Sequence, residues 1–167
     1  VFQLSGGTTG VPKLIPRTHN DYLYNSKIAS AVTGVGANET FLDVLPLAHN
    51  LPLACPGLQG YLLHGGKMVL SNSTRSEDIF ALIERHRVTH IAVVPALLIR
   101  LINDPSIGKF DLSSLRVIQS GGQRLQPARC AIGLEPVGQD AHRSLQVSLV
   151  EDVGDPDLGL AQAGRGV

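Results

Sequence analysis

Cysteine is scarce in this chain. Cys55 and Cys130 are the only two, which make neither a disulfide framework nor a zinc-ligand pattern. Charge of one sign is missing as well: 14 basic residues cancel 14 acidic ones. A neutral chain without a basic run has no electrostatic footprint for nucleic acid. No apolar run approaches the roughly 18–20 residues that cross a bilayer, which excludes a membrane span. Val1-Phe2-Gln3-Leu4 has no basic n-region and no starting Met, so no secretory signal is expected. With the cysteine usage, this favours the reducing cytoplasm. Aromatic residues are few and uneven, with none after Phe110, and no lysine follows Lys109.

What remains suits a packed core. The 167 residues are 43% apolar and 17% charged, the size of one ordinary domain or a piece of a larger one. Leu4–Lys13 is too rich in Gly, Thr and Pro for regular structure. Thr18-His19-Asn20-Asp21 offers N-caps for a helix through Tyr22, Leu23, Ile28, Ala29 and Val32, closed by Gly34. Phe41–Leu45 reads as a buried strand stopped by Pro46, and Leu51–Leu63 as a helix. His64-Gly65-Gly66 turns into a strand at Lys67–Leu70, and a helix of 3.6 periodicity starts at Ser76. Thr89–Val94 is a strand, Pro95 opens a helix to Ile102, and Leu115–Gln119 is the next strand. Strands alternating with helices through long connections predict an α/β fold, a mostly parallel sheet with flanking helices. From about Ala128 the pattern fails. Residues 128–167 carry no aromatic and no lysine, and read as a poorly ordered tail whose only apolar period is Leu145–Val150.

The sharpest motif is Ser5-Gly6-Gly7-Thr8-Thr9-Gly10-Val11-Pro12-Lys13. Glycines let backbone N–H groups approach a polyanion, Thr8 and Thr9 add hydroxyl donors, and Lys13 adds a point charge. Charge-assisted bonds of about 1.5–3 kcal/mol each could hold a triphosphate. A Walker loop would need Lys directly after Gly10, and a dinucleotide fingerprint would need a third glycine after Gly34 and Gly36; neither is met. No Gly-x-Ser-x-Gly elbow surrounds Ser5 or Ser120, which argues against a hydrolase. His49 and Asn50 follow a strand end, where α/β sheets hold ligands. On spacing alone, however, an Asn helix cap beside a buried His explains them as well. Cys55 on its own reads as a small buried hydrophobe. Gly121-Gly122 alone is a strand-to-helix turn. His86 and His90 have metal-ligand spacing but straddle a helix end and a strand start, so they read as structural.

Leu4–Lys13 resembles the phosphate-loop signature of the adenylate-forming acyl- and aryl-acid ligases. Leu14-Ile15-Pro16-Arg17-Thr18-His19-Asn20-Asp21-Tyr22 is similar to the aryl-acid–AMP ligases of siderophore pathways, which activate acids such as 2,3-dihydroxybenzoate. Leu45-Pro46-Leu47-Ala48-His49-Asn50 and Gln119–Leu125 match two further stations in order. The resemblance covers residues 1 to about 127, a partial AMP-binding domain. It implies a fragment of the large N-terminal domain of such a ligase. The implied substrates are ATP with Mg2+ and an aryl acid, with an aryl carrier protein as acyl acceptor. It also implies that Ser5, Gly6, Gly7, Thr8, Thr9, Gly10 and Lys13 hold the phosphates, Thr8, Thr9 and Lys13 being catalytic. Gly121 and Gly122 would lie near the nucleotide, and His49, Asn50 and Cys55 would line the aryl pocket, with Asn50 on the ortho hydroxyl. Cys55 stands where dihydroxybenzoate enzymes often carry Ser, which leaves salicylate open.

Departures from the family pattern set further expectations. A Glu of a Gly-Met-Ala-Glu-type motif, a ribose-binding Asp and a lysine of the small C-terminal domain have no counterparts here. Residues 128–167 do not resemble the continuation, as an altered reading frame would produce. The chain alone is therefore expected to be inactive, marginally stable and prone to aggregate through uncovered apolar faces. The rival expectations are a fragment of an acyl-CoA-type ligase and a non-catalytic remnant.

Overall fold

The computed structural model describes residues 1–4, 13–121 and 146–149. Their backbone forms an antiparallel hairpin of β1 (Phe2–Leu4) and β2 (Leu14–Pro16), followed by helix α1 (His19–Thr33). An alternation follows: β3 (Thr40–Asp43), α2 (Asn50–Ala54), α3 (Gly57–Leu63), β4 (Lys67–Leu70), α4 (Ser76–His86), β5 (His90–Val93), α5 (Pro95–Ile102) and β6 (Val117–Ser120). With β7 (Gln146–Leu149) the strands make one parallel sheet in the order β4-β3-β5-β6-β7. The expected α/β architecture is present.

Alternation along the strands sorts the two faces. Leu42, Ile91 and Ile118 share a register and pack with Ile79, Phe80, Ile83, Leu97, Leu98 and Leu101 of α4 and α5. Their neighbours point the other way. Phe41 and Ala92 join Val35, Leu51, Cys55 and Tyr61 under α1–α3, and Phe41 stacks on Tyr61 with ring centroids 4.9 Å apart. Both sheet faces are thus covered, as a parallel sheet requires.

α1 starts and stops where the sequence marks it. The Thr18 hydroxyl accepts from the Asp21 N–H at 3.2 Å, and Gly34 ends the helix at φ 71°. Its buried face, however, is not the apolar one. Tyr22, Ser26, Ser30 and Thr33 are buried, whereas Leu23, Ile28 and Val32 are exposed. Close approach explains this. A Cβ added at Gly60 would stand 2.6 Å from Ser30 Oγ, so only small side chains fit between α1 and α3. The Ser26 hydroxyl and the Asn25 amide reach the Ala54 carbonyl at 3.2 Å and 2.7 Å.

One other expectation is corrected, and three strands were not read from the sequence. The single helix read over Leu51–Leu63 is two, Asn50–Ala54 and Gly57–Leu63, because the chain turns between them with Gly57 at φ 44°. The hairpin of β1 and β2 had no pattern of its own in three-residue strands. β7, inside the segment read as a tail, pairs with β6 from Val117↔Gln146 to Ser120↔Leu149.

Candidate active site

Every strand of the main sheet runs the same way, so their carboxyl ends share one edge. The connection after β3 leads to α2 and α3 on one face, and the connection after β5 leads to α5 on the other. Adjacent strands whose connections part in this way leave a crevice between them, the usual ligand position in open α/β sheets. Three of the residues singled out from sequence lie on connections at that edge. His49 and Asn50 come from the loop after β3, and Gly121 follows β6, its N–H bonding the Val93 carbonyl at the end of β5 at 3.3 Å.

His49 caps α2, its Nδ1 accepting from the Leu51 N–H at 3.5 Å. The cap is therefore His49, exposed to solvent, and not an Asn beside a buried His. That leaves the Asn50 side chain outside the capping scheme. Its Oδ1 accepts from the Tyr22 hydroxyl at 3.0 Å, and the Tyr22 oxygen accepts from Gln3 Nε2 at 2.9 Å. Arg17, paired with Asp21 through both carboxylate oxygens, holds its guanidinium 4.8 Å from the centre of the Tyr22 ring. Burial pushes the Tyr22 hydroxyl up, against the opposing effects of Gln3 and Arg17, so it stays protonated.

Cys55 is buried at the end of α2, and burial raises its thiol above the ordinary value. It is a neutral S–H, not an activated nucleophile. Its carbonyl accepts from Gln119 Nε2 at 3.2 Å, which ties the α2–α3 junction to β6. Ser120, next in β6, is buried, and its hydroxyl has no partner among the described residues.

Gln3 is the residue but one before the Gly/Thr loop. Leu4 pairs with Leu14, so the hairpin clamps the two ends of the loop together, and the Val1 and Arg17 backbones bond across it at 2.8 Å and 3.1 Å. Lys13 stands exposed where the loop re-enters β2. Ser5, Gly6, Gly7, Thr8, Thr9 and Gly10 lie outside the described residues, as does Gly122. Gln3, Arg17, Tyr22 and Gln119 were not singled out. Gln3 and Gln119 are isolated amides in strands, and Tyr22 reads as an ordinary apolar helix position.

His86 is exposed and His90 is buried. Among the described residues no group of three or more His, Cys, Asp or Glu could hold a metal ion, and no helix is long and apolar enough to cross a membrane. An open groove of about 590 Å³, lined by Thr40, Lys67, Met68, Val69, Arg85 and His86, lies at β4 and shares no residue with the site.

A hairpin tied through Gln3, Tyr22 and Asn50 to a parallel sheet with helices on both faces defines the class as an α/β domain. The chain belongs to the AMP-binding enzyme family, whose model matches residues 1–135. Among curated proteins it is 50% identical over 136 residues to pyochelin synthase PchD of Pseudomonas aeruginosa, a match covering 81% of this chain and 25% of that one. It is 48% identical over 123 residues to the 2,3-dihydroxybenzoate-AMP ligase of Bacillus subtilis, covering 74% and 23%. Among solved structures, apo MbtA of Mycobacterium smegmatis superposes with a TM-score of 0.66 at 43% identity, covering 74% of this chain and 22% of that one. The chain thus spans about a quarter of the length of these relatives.

Proposed function

We propose that the protein to which this chain belongs adenylates an aryl acid carrying an ortho hydroxyl, 2,3-dihydroxybenzoate or salicylate, for siderophore assembly in the cytoplasm. A carboxylate oxygen attacks the α-phosphorus of ATP, the bond to the β-phosphate oxygen breaks, and pyrophosphate leaves. The aryl-AMP then passes its acyl group to a carrier-protein thiol, and AMP departs. Such chemistry depends on positioning and charge neutralisation more than on a general base. Lys13, the hydroxyls of Ser5, Thr8 and Thr9 and the amides of Gly6, Gly7 and Gly10 would bind the leaving phosphates. Gly121 and Gly122 would admit the nucleotide. His49, Asn50 and Cys55 would shape the aryl pocket.

The observation that carries the reading is Asn50. It is a polar side chain at the sheet's carboxyl edge, held through Tyr22 to the strand that enters the phosphate loop. Relatives named for 2,3-dihydroxybenzoate and for salicylate both support it. Magnesium would arrive with the ATP phosphates; among the described residues no cluster of His, Cys, Asp or Glu could hold it. A relative named as a naphthoate–CoA ligase, 49% identical over 129 residues, favours coenzyme A as a second reading of the acyl acceptor. These 167 residues alone, without counterparts of the family's Glu, Asp and small-domain Lys, would not turn over.

Pyrophosphate–ATP exchange by the full-length protein tests this. The expected result is saturable exchange with salicylate or 2,3-dihydroxybenzoate, reduced at least about 100-fold when Lys13→Ala and Thr8→Ala are combined. Exchange with fatty acids alone, or with no acid, would overturn it.

A further inference from the structure

We propose that Tyr22 is a positioning residue that sets the polarity of the Asn50 amide, so that the pocket selects an aryl acid whose ortho substituent accepts a hydrogen bond. The inference rests on the aryl-acid reading above.

Each link in the chain from Gln3 to Asn50 has one direction. Gln3 Nε2 can only donate, so the Tyr22 oxygen accepts from it at 2.9 Å. The single hydroxyl hydrogen of Tyr22 is then left for Asn50 Oδ1, an obligate acceptor 3.0 Å away. With Oδ1 engaged, Asn50 presents the two donors of Nδ2. A protonated tyrosine is required throughout, and burial of the hydroxyl keeps it so. The three groups stand on β1, α1 and α2, 19 and 28 residues apart in sequence. α1 cannot shift freely beneath them, because Asn25 and Ser26 both bond the Ala54 carbonyl at the end of α2 and Arg17 covers the Tyr22 ring.

The amide polarity has a consequence for the ligand. In a 2-hydroxyaryl acid the hydroxyl gives its hydrogen to the neighbouring carboxylate, and its oxygen keeps lone pairs for Nδ2–H. In a 2-aminoaryl acid the ortho nitrogen carries hydrogens and its lone pair is delocalised into the ring, so donor would face donor. A site built for one hydrogen-bond sense rejects the other strongly, because its own group is left unpaired.

The test compares salicylate with 2-aminobenzoate in pyrophosphate exchange by the full-length protein. Wild type is expected to favour salicylate in kcat/KM. In Tyr22→Phe the amide is free to turn, and the salicylate-to-aminobenzoate ratio should fall about tenfold, through KM rather than kcat. Gln3→Glu should go further. A carboxylate can only accept, so it takes the Tyr22 hydrogen, the Tyr22 oxygen then accepts from Asn50 Nδ2, and Oδ1 turns to the ligand, which favours 2-aminobenzoate. Equal proportional losses for both acids in both variants would mean a merely structural role and would overturn the proposal. If the wild type exchanges with neither acid, the aryl-acid reading fails by itself. Neutron diffraction from deuterated crystals then decides the polarity: deuterium on Tyr22 Oη directed at Asn50 Oδ1 supports it, and deuterium on Asn50 Nδ2 directed at Tyr22 overturns it.

Discussion

Cys55 illustrates how a side chain's surroundings select among its chemistries. Desolvation keeps the thiol protonated, and a thiol is a weaker hydrogen-bond partner than a hydroxyl. In the proposed aryl pocket it would then act through volume and polarity, as a small wall that reads a 3-hydroxyl poorly. In Cys55→Ser the ratio of kcat/KM for 2,3-dihydroxybenzoate to that for salicylate should rise about five- to tenfold, measured by pyrophosphate exchange. An unchanged ratio would remove Cys55 from the pocket. The family resemblance, and not residue type alone, made Asn50, His49 and Cys55 candidates, and it did not reveal their partners. The Tyr22 hydroxyl and the Gln3 amide gain meaning only when residues 3, 22 and 50 are brought together.

The junction of α2 and α3 is decided by backbone sterics. Gly57 adopts φ 44°, and a Cβ there would lie 2.0 Å from the Pro52 carbonyl oxygen and 2.3 Å from its carbon. Neither atom can yield without unwinding α2, which carries Asn50. Gly57→Ala should therefore lower stability by about 3 kcal/mol or more, seen as a fall in the thermal midpoint, and it should weaken aryl-acid binding as well. A loss below about 1 kcal/mol would show that the junction relaxes. At this scale much was legible. α1, α4, α5 and four strands of the main sheet follow from caps, Pro and Gly positions and apolar periods. The break after Ala54 was not, because Leu51–Leu63 has an unbroken small, apolar composition, and Pro56 can begin a helix as readily as it can separate two.

Across the whole molecule, His90 joins the sheet to α1. Its Nε2 bonds the Thr33 carbonyl at 3.1 Å, which makes Nε2 the protonated nitrogen, and Nδ1 meets the Thr89 hydroxyl at 2.8 Å. Glu39, ion-paired with Arg116, stands 3.5 Å from Nδ1. Burial outweighs the bond to Thr33 and the attraction of Glu39, and holds the ring below the ordinary histidine value of 6.5. The folded state thus prefers the neutral form. Below about pH 6.5 the unfolded chain binds a proton that the native state resists, so stability falls with pH until the lowered native value is passed. Denaturant midpoints measured from pH 8 to pH 5 should decline, and His90→Gln should flatten that decline. An equal slope in the variant would assign the effect to other groups.

Local chemistry alone settled the presence and order of most elements and the parallel α/β class, and it marked out the Gly/Thr loop. Caps, Pro and Gly positions and side-chain periodicity act over a few residues, so they can be read along the chain. Partnership over long separations could not. α1 turns Ser26 and Ser30 inward and leaves Leu23 and Ile28 outside because Gly60 brings α3 too close for larger groups. Gln146–Leu149 becomes a strand because the edge of β6 offers it unpaired backbone groups. Asn50 acquires a direction because a tyrosine 28 residues earlier lies against it. Such choices depend on distances between segments, which exist only once the chain has packed.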